Sequence, residues 1–126
     1  MTEEKDMNVK ECYLQFGGDY ESVLGRLRRE QLVEKFLLKF LEDKSFDQFE
    51  AAMASGNYEE GLRAVHTLKG VCQNLSFTAL YESSRQVTQA MKDGDYRKAM
   101  ELSPRLSEDY HRIIQVVENH RRSGEA

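Results

Sequence analysis

Apolar side chains recur at helical spacing along most of the chain, and this periodicity is the feature that most restricts the fold. Between residues 30 and 54 the apolar positions lie three or four residues apart. No segment alternates apolar and polar residues in the way that a half-buried strand does. The chain contains one proline, Pro104, so few residues in it would break a helix. The sequence therefore predicts an all-α protein.

Turn and cap signals divide the chain into six helical segments. Asp19 is a natural N-cap for a short second helix, and Gly56 is placed to end the third. Residues 42–45 are expected to kink or break that third segment. Pro104 is expected to interrupt the last segment, with Ser103 as the N-cap of a fresh start. The predicted segments are about 7–16, a short helix after Asp19, 30–54, 58–75, 77–92 and 96–120.

Long amphipathic helices joined by short turns favour an antiparallel up-down four-helix bundle, here with additional short N-terminal helices. The length of 126 residues suits a single domain with its own hydrophobic core. We expect the ordered core to span about residues 8–122, with frayed ends at 1–7 and 122–126. Because the core is self-sufficient, the expected state is a monomer. The start at Met1 favours a free-standing protein.

The charge balance argues against nucleic acid as a partner, since the net charge is -4 and the pI about 5.4. The basic stretches RLRRE (26–30) and HRRSG (120–124) are short and lie at predicted helix ends, where cations are common. No apolar run approaches the roughly 18 residues of a membrane span, and the acidic start is unlike a signal peptide. Cys12 and Cys72 are interpreted as buried thiols in a reducing compartment. These features predict a cytoplasmic protein that binds neither nucleic acid nor membranes.

The segment AVHTLKGVCQNLS, residues 64–76, belongs to the fourth helix and has two distinct faces. At about 100° per residue, the face opposite His66 is apolar and is expected to pack in the core. It comprises Ala64, Leu68 and Leu75, flanked by Gly61, Val71 and Cys72. The face within about 60° of His66 is mostly polar. Its members are Leu62, Arg63, Lys69, Gly70 and Gln73. The sequence therefore predicts that His66 points into solvent.

Gly70 is the unusual residue of this outer face, because a glycine inside a helix costs about 1 kcal/mol relative to alanine. Its physical use is to clear space, so that the backbone of another molecule comes close to His66. Leu62 adds apolar area for docking on the same face. A polar face that is merely solvated is the plainer interpretation of His66, Lys69 and Arg63.

The outer face has the residues that a phosphoryl carrier needs. A neutral imidazole, with an ordinary pKa of about 6.5, is a nucleophile at cellular pH, and its ring nitrogen can accept a phosphoryl group. Phosphoryl transfer depends mainly on positioning and on charge neutralisation. Lys69, one turn from His66, would neutralise phosphoryl oxygens, and Gln73 would donate a hydrogen bond.

The motif HTLKG at residues 66–70, followed by NL at 74–75, resembles the active helix of histidine-containing phosphotransfer (HPt) domains. The resemblance covers roughly residues 8–122 and includes the helix order, the glycine-bounded turn before the active helix and the proline in the last segment. It implies that His66 accepts a phosphoryl group on a ring nitrogen, typically Nε2, from the aspartyl phosphate of a response-regulator receiver domain. His66 would then pass the group to another receiver.

The resemblance also implies a role for each neighbour of His66 and a set of partners. Lys69 would lie beside the phosphoryl group, Gly70 would let the active-site loops of the receiver approach, and Gln73 would assist by hydrogen bonding. Leu62 and Arg63 complete the predicted docking face. The partners would be receiver domains or a hybrid histidine kinase. Mg²⁺ would belong to the receiver, so no cofactor or metal is expected on this chain.

Two residues depart from the pattern of the family. Val65 stands where HPt domains usually have alanine, which is a change in packing with little bearing on the chemistry. Ser76 stands where many members have glycine. Serine is a poorer C-terminal residue than glycine but a good N-cap for the next helix. The departure at Ser76 therefore concerns the geometry of the turn.

The sequence leaves three alternatives to phosphotransfer to consider. The first is a non-catalytic helical adaptor that docks a receiver or another partner on the same face without phosphorylation. The second is a metal-binding bundle, but Glu108 and His111 form a single E-x-x-H where such sites need two. His111 and His120 are instead expected on a solvated face or near a helix end. The third is autokinase activity, but the chain has neither G-x-G-x-x-G nor G-x-x-x-x-G-K-[ST]. The prediction is a phosphotransfer intermediate without ATP-dependent kinase activity.

Overall fold

Residues 8–125, which a computed structural model describes, fold into seven α-helices and one short 3-10 helix, and all of their regular secondary structure is helical. The predicted all-α class is confirmed. The segment 1–7, expected to be frayed, lies outside the described residues. The elements are α1 (Val9–Gln15), α2 (Tyr20–Leu27), α3 (Glu30–Lys39), the 3-10 helix (Phe40–Glu42), α4 (Ser45–Ala54), α5 (Tyr58–Leu75), α6 (Thr78–Lys92) and α7 (Tyr96–Glu125).

Side-chain caps fix the starts of the two N-terminal helices. Asn8 and Glu11 form a capping box at the start of α1, each side chain accepting a hydrogen bond from the backbone N–H of the other. Asp19 caps α2 as predicted, since its Oδ1 accepts a hydrogen bond from the N–H of Ser22 at 3.1 Å. The turn between α1 and α2 contains Gly17 at a φ of +73°, a conformation that glycine adopts without strain.

The long third segment predicted from the sequence is broken into α3 and α4. The chain leaves helical geometry at Asp43, whose ψ is 132°. The Oδ1 of Asp43 accepts a hydrogen bond from the N–H of Ser45 at 2.8 Å, which starts α4. Gly56, at a φ of +75°, ends α4 as predicted. The break turns α4 away from α3, so that α4 packs along α5.

Turns of two or three residues connect α4, α5, α6 and α7, and each of these helices packs against the next. The rings of Phe46 on α4 and Tyr110 on α7 stack with their centroids 4.2 Å apart. Phe77, in the turn between α5 and α6, is fully buried. Its ring contacts the rings of Phe16 and Phe40 at centroid distances of 5.1 and 5.0 Å. These aromatic contacts anchor the C-terminal end of α5.

The prediction that Pro104 interrupts the last helix was wrong. Helix α7 runs without a break from Tyr96 to Glu125, with Pro104 inside it. Ser103 does not cap a new helix; its hydroxyl donates a hydrogen bond to the carbonyl oxygen of Ala99 at 2.8 Å. Pro104 is exposed, whereas Ala99 and Leu106 on the same helix are fully buried. Burial of this apolar side stabilises α7 enough to offset the one backbone hydrogen bond that proline cannot donate.

None of the helices among residues 8–125 combines the length and the apolar composition that a membrane span requires.

Candidate functional site

Helix α5 begins and ends at residues that suit those positions. The side chain of Asn57 caps its start by accepting a hydrogen bond from the N–H of Glu60 at 3.2 Å. Ser76 ends the helix in the left-handed conformation, at a φ of 57°. Glycine is the common residue in that conformation, so Ser76 adopts the turn geometry that glycine would supply.

The inner face of α5 is buried as the sequence predicted. Gly61, Ala64, Leu68, Cys72 and Leu75 are buried, and Val71 is half-buried against the core. Val65 is also fully buried, so the departure from alanine at this position is absorbed by core packing. This burial fixes the rotation of α5 and therefore decides which residues face outward.

His66 lies on the outer face and is exposed, which confirms the prediction from the helical spacing. Among residues 8–125, no hydrogen bond or ion pair engages its ring. Both ring nitrogens are therefore accessible to another molecule. Lys69 is half-buried and Gln73 is exposed on the same face. Within the described part of the chain, the ammonium group of Lys69 has no carboxylate within salt-bridge distance.

Gly70 faces open space. Apart from its chain neighbours and the adjoining backbone of α5, a Cβ atom built at this position would meet no atom of residues 8–125 within 4 Å. Gly61, the other glycine of α5, differs because its Cβ would lie 3.0 Å from the Sδ of Met53. Core packing therefore accounts for Gly61 and does not account for Gly70. The open space at Gly70 lies one helical turn from His66, where the sequence predicts the backbone of a partner to approach.

The two remaining predicted residues of the outer face also make contacts within the chain. Arg63 is exposed, but its Nη1 lies 2.9 Å from Oε2 of Glu60, which compensates its charge. Leu62 is half-buried and packs against the core, so it exposes less apolar surface than the sequence suggested. The docking roles of Leu62 and Arg63 remain predictions.

The N-terminal helices hold the C-terminal turn of α5, an arrangement that the sequence did not reveal. The phenol of Tyr13 donates a hydrogen bond to the carbonyl oxygen of Leu75 at 2.7 Å, and the N–H of Asp19 donates to that of Ser76 at 2.9 Å. The Nη2 of Arg26 donates to the carbonyl oxygen of Gln73 at 3.3 Å and to the hydroxyl of Ser76 at 2.5 Å. These bonds satisfy carbonyl groups that a helix end leaves without partners.

The other two histidines lie away from His66 in the sequence and have neighbours of their own. His111 is exposed, and its Nδ1 lies 2.9 Å from the carbonyl oxygen of Ser107. His120 is half-buried, and its Nε2 lies 2.7 Å from Oε2 of Glu34 on α3. His111 therefore lies on a solvated face and His120 lies near the C-terminal end of α7, which are the two positions expected for them. Within residues 8–125, no three side chains of His, Cys, Asp or Glu are placed to hold a metal ion.

Both cysteines are free thiols in the core, as predicted. Burial raises the pKa of the Cys12 thiol to about 11. Burial also raises the pKa of the Cys72 thiol well above its ordinary value. Both thiols are therefore neutral at cellular pH and take no part in the chemistry of the outer face.

Among residues 8–125, a helical fold that presents an exposed histidine beside a lysine and an open glycine is the arrangement expected of the class of helical phosphotransfer proteins. The family model for the Hpt domain matches residues 31–120, which is most of the chain. The protein is therefore a member of the Hpt domain family. Comparison with curated proteins and with solved structures gives no match. Hpt domains act in histidine phosphotransfer within phosphorelay signalling, where they interact with receiver domains or histidine kinases.

Proposed function

We propose that His66 accepts a phosphoryl group from the aspartyl phosphate of a receiver domain and passes it to another receiver. One observation carries this proposal. In a chain of the Hpt family, the exposed His66 ring makes no hydrogen bond or ion pair with the described residues, and it lies one turn from the open space at Gly70. An approaching phosphoryl group would meet no side chain at position 70.

The transfer step balances without any further reactant. The lone pair of Nε2 of His66 attacks phosphorus and forms an N–P bond, while the P–O bond to the aspartate breaks. The electron pair of that bond remains on the aspartate, which leaves as a carboxylate. The proton on Nδ1 stays on the ring during the attack. The return step to a second receiver is the same displacement in reverse, with a carboxylate as the nucleophile.

The neighbours of His66 would assist by charge and by shape. The ammonium group of Lys69 would neutralise charge on the phosphoryl oxygens as they pass through the transition state. Gln73 would donate a hydrogen bond to the same group. Gly70 would admit the loops of the receiver, and Leu62 and Arg63 would lie at the edge of the docking face.

The remaining features of the proposal concern assembly. Helices α4 to α7 would form the antiparallel up-down four-helix bundle, with α1 to α3 as the additional N-terminal helices. The protein would act as a monomer in the cytoplasm and would carry phosphate without generating it from ATP. Mg²⁺ would be held by the partner receiver, with no cofactor on this chain.

Phosphate transfer from a panel of phosphorylated receiver domains tests this function, with wild type compared with His66→Gln. We expect label on wild type alone, labile to acid and stable to base as phosphoimidazole is. The variant should fold normally, because substitution of an exposed side chain usually changes stability by less than about 0.5 kcal/mol. Circular dichroism and thermal unfolding provide that control.

Two results would contradict the proposal. Equal labelling of His66→Gln would place the phosphoryl group on another residue. Absence of label from every receiver, with an intact fold, would favour the adaptor function, in which the same face docks a partner without chemistry. Binding of receivers to the unlabelled protein then separates an adaptor from a protein that does not meet receivers at all.

A further inference from the structure

Helix α2 lies outside residues 31–120, which the Hpt family model matches, yet it contacts the C-terminal turn of α5. The contact is made by Arg26, whose Nη2 donates to the carbonyl oxygen of Gln73 and to the hydroxyl of Ser76. Ser22, one turn earlier on α2, accepts a hydrogen bond from the same hydroxyl at 3.1 Å. The guanidinium group of Arg26 is thus held in one place by α5.

That place is at the end of the face that carries His66. Gln73 follows His66 by seven residues, which is about two helical turns, so both lie on one side of α5. The two hydrogen bonds of Arg26 to α5 use a single nitrogen, Nη2, and leave the donors on Nη1 and Nε for another acceptor. Arg26 is exposed, and among the described residues no carboxylate lies within salt-bridge distance of it.

The charge of this surface is cationic although the chain as a whole carries a net charge of -4. Residues 61–76 of α5 and the turn after it contain no aspartate or glutamate. Arg26 begins the basic stretch RLRRE, which is too short to form a nucleic-acid surface. Together with Lys69, it gives the outer face two cations without ion-pair partners in the described part of the chain. A partner that presents carboxylates at the rim of its docking surface fits this arrangement.

We infer that Arg26 is a docking residue that pairs with a carboxylate on the receiver domain, at the rim of the interface around His66. This inference rests on the proposed function and extends the docking surface onto a helix outside the family match. The guanidinium group of Arg26 is bound two turns from His66, about 10 Å along α5. Arg26 therefore contributes to the association of the receiver, whereas Lys69 contributes to the transfer step. Rim charges change encounter rates and their salt dependence.

The test measures the rate of transfer from a phosphorylated receiver as a function of receiver concentration, for wild type, Arg26→Gln and Arg26→Lys. The receiver used is the member of the panel from which wild type accepts phosphate fastest. If no receiver transfers phosphate, the one that binds wild type most tightly is used. Lys98→Gln is the matched control. Lys98 is an exposed cation in the first turn of α7, whose first residue, Tyr96, stacks on Tyr58 at the start of α5. Lys98 therefore lies toward the opposite end of α5 from Arg26.

For Arg26→Gln we expect the half-saturating receiver concentration to rise about 2- to 5-fold at low salt, with the saturating rate unchanged. The increase should shrink as the salt concentration rises, since screening weakens exposed pairs. Arg26→Lys keeps the charge and should recover most of the affinity. Lys98→Gln should match wild type. Thermal unfolding of each variant shows whether loss of the bonds to Gln73 and Ser76 destabilises the fold.

Three outcomes would overturn the inference. A half-saturating concentration unchanged in Arg26→Gln would show that the receiver does not meet Arg26. Equal defects in Arg26→Gln and Arg26→Lys, with equal losses of stability, would show that Arg26 acts only as a cap of α5. Equal effects of Arg26→Gln and Lys98→Gln would show a response to net charge alone. Failure of the proposed function gives a different result, because wild type itself would then accept no phosphate. In that case, direct binding of the receiver to wild type and to Arg26→Gln would still test the contact between Arg26 and the receiver.

Discussion

Substitution of Gly70 by alanine separates the folding role of α5 from the role in docking that we propose for it. Beyond the local backbone of α5, a Cβ at this position meets no atom of the described residues within 4 Å, so the folded protein accommodates the methyl group without strain. Alanine is favoured over glycine inside a helix by about 1 kcal/mol. In a chain of 126 residues this gain corresponds to a rise in Tm of about 4 °C. The variant should therefore be more stable than wild type.

The same methyl group should impair phosphotransfer. It would occupy the open space one turn from His66, where the backbone of the receiver is proposed to approach. An extra methyl group in a closely packed contact costs about 1–3 kcal/mol. If that cost falls on the transition state, the ratio kcat/KM for transfer falls about 5- to 150-fold. Gly70→Leu should block docking while keeping the fold.

Gly25→Ala is the matched control for this experiment. Gly25 lies inside α2, is exposed, and its Cβ would also meet no atom within 4 Å. It should raise Tm by a similar amount and impair transfer far less than Gly70→Ala, because Gly25 lies on α2, beside the rim residue Arg26, and not one turn from His66. The assays are thermal unfolding and the initial rate of label transfer from a phosphorylated receiver. If Gly70→Ala raises Tm but transfers phosphate at the wild-type rate, the open space at Gly70 is not a docking feature.

Three further predictions follow from the contacts of the chain. Lys69→Ala should lower the saturating transfer rate at least about tenfold and change receiver affinity less; a change confined to affinity would make Lys69 a docking residue. Arg28 has a φ of 78°, a conformation that costs a non-glycine residue about 1 kcal/mol. Arg28→Gly should therefore raise the free energy of unfolding by about that amount, measured by thermal unfolding. Arg29, at a φ of −132°, has no such strain, so Arg29→Gly should gain nothing from this source. Cys12 and Cys72 should react with a thiol reagent only after unfolding, and fast labelling of the native protein would contradict their burial. Burial raises the pKa of both thiols in the folded state, so the thiols of the unfolded chain ionise first. The free energy of unfolding should therefore fall as pH rises above about 9.

The local features of the fold could be predicted because each depends on neighbouring residues. The N-cap at Asp19 and the helix end at Gly56 follow from the backbone preferences of those residues. The two faces of α5 follow from helical spacing alone, which placed His66 outside and Leu68 inside. The same local reasoning was wrong at Pro104, because the tertiary burial of α7 outweighs the preference of one residue.

Contacts between distant parts of the chain could not be predicted in the same way. His120 and Glu34 are 86 positions apart, and nothing in the residues around either one indicates that they meet. The hydrogen bond from Arg26 to Ser76 spans 50 positions. Ser76 departs from the glycine that is common at the end of this helix, but the residues around it do not indicate which group its hydroxyl contacts. Such pairs depend on how α2 and α3 lie against the later helices.

Contacts within the fold account for most residues of α5, but they do not account for the residues of the candidate site. Tyr13 satisfies a helix carbonyl, and a Cβ at Gly61 would press on Met53, so the fold itself accounts for these two residues. Within residues 8–125, the side chain of His66 makes no hydrogen bond, and Gly70 lowers helix stability without relieving any contact. A residue that lowers the stability of the fold and makes no contact inside it indicates that another molecule binds at that position. Since Gly70 lies one turn from His66, the only imidazole of α5, docking and phosphoryl transfer are expected at the same place.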